Sequence, residues 1–442
     1  MSAFVPPAHH GMTVLNREAF KKTIKTLGVR VPARQVNAVM KGLMGQLLNQ
    51  PRLRNVVDDP MGKETKLLLL KQEVLQPEDV SKLPEPARRL IEEHGVGFST
   101  YDVDVDYSYW TAEQILQAVL PAGSDATPGS YTQVGHIAHM NLKEEYYPWK
   151  QLIGQVILDK NKNITSVVNK TNNIDTTFRF FKMEVLAGED NMIAQVKESG
   201  CRFKFDFSKV YWNSRLHTEH DRLVQTFKRG EYVCDVFAGV GPFALPAAKK
   251  GAIVYANDLN PVSFEWLNEN IKLNKIKSGI HTYNLDGRDF IRKAVQDLQA
   301  TANSDTEWKT FDHFVMNLPA TAIEFLDAFR GLYREHKHRF DAAPTAKLPM
   351  IHCHCFTKSP EPANDIYERV SQVMGSSVDR TTSKLHLVRN VAPKKDMYCL
   401  SFPLSPEIAF ATASSSTASS SSSCEKRKHE DTENEAHKKH KE

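Results

Sequence analysis

Long apolar runs are missing from the 442 residues, so no stretch has the length a membrane-spanning helix needs. Cysteine is scarce, with six residues scattered along the chain, and no apolar leader opens it. Reduced thiols in a non-oxidising compartment are therefore expected, not a disulfide scaffold. Acidic residues are nearly absent from Val14–Val57. There Glu18 stands alone against Arg17, Lys21, Lys22, Lys25, Arg30, Arg34, Lys41, Arg52 and Arg54. That shortage suits a face turned to a polyanion; a solvated charged face and an import presequence are the other readings of it. The net charge of +4 permits a polyanionic partner without demanding one. Pattern is missing at both ends. Residues 1–13 carry Pro-Pro and a His pair without periodicity, and residues 411–442 are a serine run followed by alternating charge. Both ends are expected to be disordered, because neither can bury a core. The rest is 41% apolar and 25% charged by the whole-chain count, enough for two or three domains.

The organising stretch is Tyr232–Asn260, YVCDVFAGVGPFALPAAKKGAIVYANDLN. An apolar run, a glycine turn at Gly239 and Gly241, an alanine-rich helix and a second apolar run ending at Asp258 describe a nucleoside-binding strand–helix–strand unit. Glycine lets the backbone approach a ligand where a Cβ would collide, and an acid after the second strand accepts hydrogen bonds from ribose. A dinucleotide would satisfy the same spacing. Pro242, however, lacks the N–H a pyrophosphate would seek near a helix start, and Asp235 would repel phosphates while suiting a cationic amine. S-adenosylmethionine has ribose, adenine and an α-amino group and no phosphate. Further apolar runs end at Asp286-Gly287 and at Asn317-Leu318-Pro319. Four strand ends thus carry Asp235, Asp258, Asp286 and Asn317, where ligands gather in a doubly wound sheet. Each is also an ordinary turn residue. The set predicts a Rossmann-like class I methyltransferase domain: α/β, doubly wound, mostly parallel, with a late antiparallel hairpin from Leu385–Val388 and Tyr398–Phe402.

Elsewhere, apolar spacing predicts an amphipathic helix over Arg34–Asn49, a capped helix over Thr111–Leu120 and a helix over Ser214–Lys228. Leu152–Leu158 reads as a strand or mixed element, and alternation makes Arg202–Val210 a strand. The turn-rich segment Pro121–Ser130 is the expected boundary between N-terminal and middle domains. His352-Cys353-His354-Cys355 resembles a metal cluster, but its alternation in an apolar context reads better as a strand, and no metal is expected.

Taken together, QVGHIAHMNL, TNNIDTTFR, DFSKVYWNSRLHTEH, DVFAGVGPFALP, NDLNP, NLDGRDF, VMNLPA and HLVRNVAP resemble the tRNA (guanine(37)-N1)-methyltransferases of eukaryotes and archaea. The resemblance runs from about Gln133 to Phe402 and is looser around Gly11–Thr23. It implies a tRNA partner, no membrane, a monomer and α+β tRNA-binding domains ahead of the methyltransferase domain. The segments are then 1–13, a basic tRNA-docking domain 14–125, a middle α+β domain 131–220, the S-adenosylmethionine domain 221–410 and the tail 411–442. It implies Glu219 as the base for guanine N1, Arg179 at O6, and Asn317 with Pro319 positioning the target base. Tyr211 and Arg215 would shape the guanosine pocket. His220, Asp258, Leu259, Asp286, Gly287 and Asn317 would hold the donor beside Asp235, Gly239 and Gly241. His220 departs from the arginine common in archaeal members. Alternatives are an aminocarboxypropyl transfer from the same donor, a silent RNA-binding protein of the same fold, and a dehydrogenase. Mitochondrial matrix, nucleus and cytoplasm are the compartments the family implies.

Overall fold

The computed structural model describes residues 3–121, 127–174, 181–304 and 307–412. They gather into two compact units. One holds Met1–Asp221, Gly239–Pro246 and Asn260–Lys277; the other holds Arg222–Ala238, Ala247–Leu259 and Ser278–Glu442.

The first unit begins with a four-stranded antiparallel sheet. Its strands are β1 (Lys22–Pro32), β2 (Val56–Asp58), β3 (Thr65–Leu69) and β4 (Gly97–Val105), in the order β2-β3-β1-β4. Helices α1 (Val36–Gly42) and α2 (Glu85–His94) accompany it. The helix expected over Arg34–Asn49 is therefore cut short. Gly42 fits tightly against Leu90, where a Cβ would come within 2.8 Å of the leucine side chain, and the chain then turns so that Leu47 bridges Leu70. Val39, Leu43 and Leu47 are still buried together, so the apolar spacing served the core without a continuous helix.

Helix α3 (Ala112–Val119) has the expected cap: Thr111 accepts from the Gln114 amide, and Gln114 reaches back in a capping box. Residues 3–13 are ordered, contrary to expectation. Their donors satisfy the open carbonyls of the α3 C-terminus, His9 N–H to Ala118 O at 2.7 Å and Gly11 N–H to Val119 O at 3.0 Å. Phe4 is buried in the adjoining core.

A second four-stranded sheet, β5 (Thr132–Val134), β6 (Ile137–Met140), β7 (Ser166–Ile174) and β8 (Phe181–Gly188), runs in chain order. Helix α4 (Lys150–Lys160) packs on it. This is the stretch expected to be strand or mixed, and Leu152, Ile153, Val156 and Ile157 bury one helical face instead. One apolar cluster extends from Phe4 through Trp110 and Leu116 to Ile153 and Ala187, so Pro121–Ser130 does not separate two cores. Next come the hairpin β9 (Ile193–Glu198) and β10 (Cys201–Asp206) and helix α5 (His217–Thr226).

The second unit is built on a seven-stranded sheet. Its strands are β11 (Tyr232–Asp235), β12 (Ile253–Asn257), β13 (Ile280–Tyr283), β14 (His313–Met316), β15 (Met350–Thr357), β16 (Lys384–Ala392) and β17 (Lys395–Pro403). The order is β13-β12-β11-β14-β15-β17-β16, parallel through β15 and antiparallel for the last hairpin. The chain also forms α6 (Ala244–Lys250), α7 (Pro261–Leu273), α8 (Gly287–Gln299), α9 (Lys337–Ala342) and α10 (Pro362–Met374). This is the doubly wound fold the pattern predicted. Strand order reverses beside β11, so the ligand crevice of such a sheet lies at the carboxyl ends of β11 and β14. Ala322–Glu335 is 3-10 helical over Ala322–Phe329. Met350–Thr357 is a strand with His352, Cys353, His354 and Cys355 all buried; His352 is bonded to Ser401 at 2.8 Å and to His313 at 3.0 Å.

Candidate active site

The carboxyl edge of the sheet is tied together by a residue the sequence pattern does not mark. Asn257 ends β12 and donates to the carbonyls of Val236 (3.1 Å) and Leu285 (3.0 Å), while its own carbonyl oxygen accepts from Leu285 N–H at 2.9 Å. The ends of β11, β12 and the segment after β13 are thus locked. Ala238 N–H adds a bond to Asn257 O at 2.7 Å. Asn284 donates to the carbonyls of Asp258 and Leu259, fixing the backbone that presents Asp258. Neither asparagine interrupts an apolar pattern, and only their place at a strand end could have flagged them.

Asp235 ends β11 and is fully buried, and neither carboxylate oxygen has a well-formed hydrogen bond. Burial, reinforced by the negative charge of Asp258, pushes its carboxyl up to about 8; His354 and the Phe237 amide pull weakly the other way. At neutral pH burial thus favours the protonated form of this carboxyl. Asn317, at the end of neighbouring β14, likewise has a buried side-chain oxygen without a partner. Pro319 is held by its carbonyl, which accepts from Phe356 N–H at 2.9 Å. Asp258 is half-exposed and Leu259 is 50% exposed.

Asp286 and Gly287 have structural duties. Asp286 caps α8 by accepting from Arg288 N–H at 2.9 Å, and a Cβ on Gly287 would lie 2.9 Å from the Phe237 ring.

In the first unit, Gly239 and Gly241 adopt φ of +55° and +99°. A Cβ on Gly239 would meet no atom within 4 Å, whereas one on Gly241 would collide with Leu245 at 2.2 Å. Glu219, on the first turn of α5, is only 3% exposed, unlike an ordinary surface helix carboxylate. His220 is 4% exposed, bonded through Nδ1 to Glu198 at 2.5 Å and set edge-on to Phe243 at 4.8 Å. Its ring is engaged by protein, which leaves less of it for a donor than the resemblance implied. Tyr211 is 53% exposed and therefore not core packing; Arg215 is exposed beside Thr132. Arg179 lies outside the described residues, as does the tail from residue 413.

The buried Asp235 carboxyl, without a well-formed hydrogen bond, and the half-exposed Asp258 carboxylate at the same edge of the sheet fit the ammonium and the ribose of S-adenosylmethionine. Among the described residues, no helix is long and apolar enough to cross a membrane.

Comparison with known proteins agrees with the geometry. The TRM5/TYW2 methyltransferase domain matches residues 194–346, and the TYW2 N-terminal domain matches 112–191. The tRNA (guanine(37)-N(1))-methyltransferase of Batrachochytrium dendrobatidis is 45% identical over 441 residues, covering 92% of each chain. That of Homo sapiens is 44% identical over 413 residues, 92% of this chain and 79% of the relative. Among solved structures, Trm5b from Pyrococcus abyssi is 25% identical with a TM-score of 0.56, covering 86% of this chain and 99% of that one. The complex of aTrm5 and tRNALeu, 22% identical with a TM-score of 0.58 over 86% and 100%, shares the fold.

Proposed function

The chain belongs to the tRNA (guanine(37)-N1)-methyltransferases, and from that premise we propose that it methylates N1 of guanosine 37, 3′ of the anticodon, with Glu219 as the base. Its cofactor is S-adenosylmethionine, whose sulfonium-bound methyl carbon is the electrophile that N1 attacks, with the thioether leaving. Asp235 would receive the α-ammonium, Asp258 would accept from ribose, and Gly239, with no Cβ, would let the backbone come close to the ligand. Asn317 and Pro319 orient the guanine, and Tyr211 and Arg215 border it.

N1 of guanine carries a proton and is a poor nucleophile until that proton leaves. Glu219 accepts it, and Arg179 holds the negative charge that spreads to O6. A carboxylate 3% exposed is shielded from bulk water, which favours proton exchange with a bound base over exchange with solvent. The observation that carries the donor half is the trio of orphaned buried oxygens, two on Asp235 and one on Asn317, at the ends of adjacent strands. Burying polar atoms without partners is costly, and a crevice that does so is arranged for a polar ligand. The enzyme serves tRNA in the mitochondrial matrix as well as in the nucleus and cytoplasm, a reading that rests on the family resemblance.

The test is the mass of the product. Transcribed tRNA incubated with donor and digested to nucleosides yields guanosine heavier by one methyl group; a gain of the aminocarboxypropyl arm instead would assign the chain the other transfer.

A further inference from the structure

The terminal hairpin of β16 and β17 supplies none of the donor-binding residues. Antiparallel pairing sets Asp396 of β17 opposite Thr357, the last residue of β15. The β16–β17 turn therefore emerges at the same edge of the sheet as Asp235, Asp258 and Asn317, on the side away from β12 and β13. Between Lys384 and Lys395 the chain carries Lys384, Arg389, Lys394 and Lys395 and no aspartate or glutamate. Lys358 follows directly after β15 and is exposed, as is Lys394, whose φ of +59° turns the tip. Lys395 rests over the Phe356 ring at 4.2 Å, and Phe356 N–H holds the Pro319 carbonyl at 2.9 Å. A cationic tip is thus linked through Phe356, by its ring and its backbone N–H, to the segment proposed to orient the base. Asp396, the next acid along the chain, accepts from Asn390 at 2.8 Å. Leu387 and Val391 are 51% and 41% exposed on the same strand, an apolar surface next to the charge. Strand β16 is the edge of the sheet and pairs only with β17 among the described strands.

We infer that this hairpin is an RNA clamp: Lys358, Lys394 and Lys395 hold phosphates flanking the target guanosine, with Leu387 and Val391 against sugar or base faces. The inference rests on the proposed tRNA substrate. It goes beyond that proposal by assigning the substrate's backbone to a surface remote from the donor half of the sheet. An acid-free strip at the site-bearing edge fits a polyphosphate backbone, and the apolar pair fits a splayed nucleotide, which phosphate binding alone would not require. Lysine on an edge strand also deters strand pairing, and the experiment separates that role from this one.

The probes are full tRNA and a transcribed anticodon stem-loop, titrated at several salt concentrations against wild type and the double variant Lys394→Glu/Lys395→Glu. Donor affinity by calorimetry and melting temperature confirm that the variant is folded. Wild-type methylation of the tRNA is established first, so that a failed substrate assignment is recognised separately. The expected result is about tenfold or greater weakening on both RNAs and a salt slope smaller by about two, roughly one for each phosphate no longer neutralised. Lys394→Arg/Lys395→Arg should restore both. Unchanged RNA affinity, with or without aggregation of the variant, overturns the clamp. A loss confined to full tRNA overturns the placement beside the target.

Discussion

At Asp235 a buried carboxyl without a well-formed hydrogen bond carries a stability cost. The carboxyl, ordinarily at 3.8, is held at about 8 chiefly by burial and then by Asp258. Below 3.8 both folded and unfolded chains hold the proton and nothing is lost. As pH rises toward 8 the unfolded chain ionises while the folded one cannot, so stability drains across that window. Asp235→Asn should therefore melt with wild type near pH 4 and above it near pH 8. The same variant should lose the melting shift that the donor gives wild type, the trade expected of a binding residue. A flat difference across pH would show that the carboxyl is ionised in the free protein. In the proposed mechanism Glu219 belongs to the chemical step. Glu219→Gln keeps size and hydrogen bonding and should slow single-turnover methylation by about 10²–10⁴-fold without weakening either substrate. Raising pH should partly rescue it, since N1 then loses its proton to solvent. Arg179→Ala should be slow at every pH, because charge on O6 stays unstabilised. A Glu219→Gln enzyme of near-normal rate at neutral pH would remove this carboxylate as the base.

At the scale of elements, the site depends on strand ends being level with one another. Asn257 keeps them so, with three hydrogen bonds to Val236 and Leu285. Asn257→Ala strands a buried amide and two carbonyls, so it should cost about 1–3 kcal/mol and weaken donor binding while leaving tRNA affinity intact. Denaturation and calorimetry on one preparation read both, and unchanged donor affinity would show that the strand ends hold without it. The strand ends themselves were legible. Apolar runs closing on Asp235, Asp258, Asp286 and Asn317 announce a parallel sheet, because strands buried on both faces read as continuous apolar runs. The helix at Arg34–Asn49 was not legible to its end, since the apolar spacing continues through Gly42 while the backbone turns. Asn257 and Asn284 were missed as site residues for a common reason. Their partners are set by strand order, which local pattern does not contain.

The whole molecule is less divisible than its turn-rich segments suggest. Phe4, Trp110 and Leu116 share one core with Ile153 and Ala187. Removing residues 1–125 therefore takes away half of a packed cluster rather than a detachable docking domain. The truncated chain should aggregate or melt far below full length, with the middle sheet losing protection in hydrogen exchange. A soluble truncation with an undisturbed middle sheet would show that the halves fold apart. The basic segment Val14–Val57 is better tested by point reversals of exposed residues such as Lys25 and Lys41, which leave that core in place.

The most direct test of the central claim is the position and atom of the methyl group. A methyl on N1 blocks the Watson–Crick edge of guanine, so primer extension on tRNA treated with enzyme and donor should arrest at nucleotide 37. It should read through when guanosine 37 is replaced. Arrest at 37 that needs donor and is abolished in Asp258→Ala is the result predicted. Methyl incorporation with read-through at 37, or arrest at any other nucleotide, would contradict it.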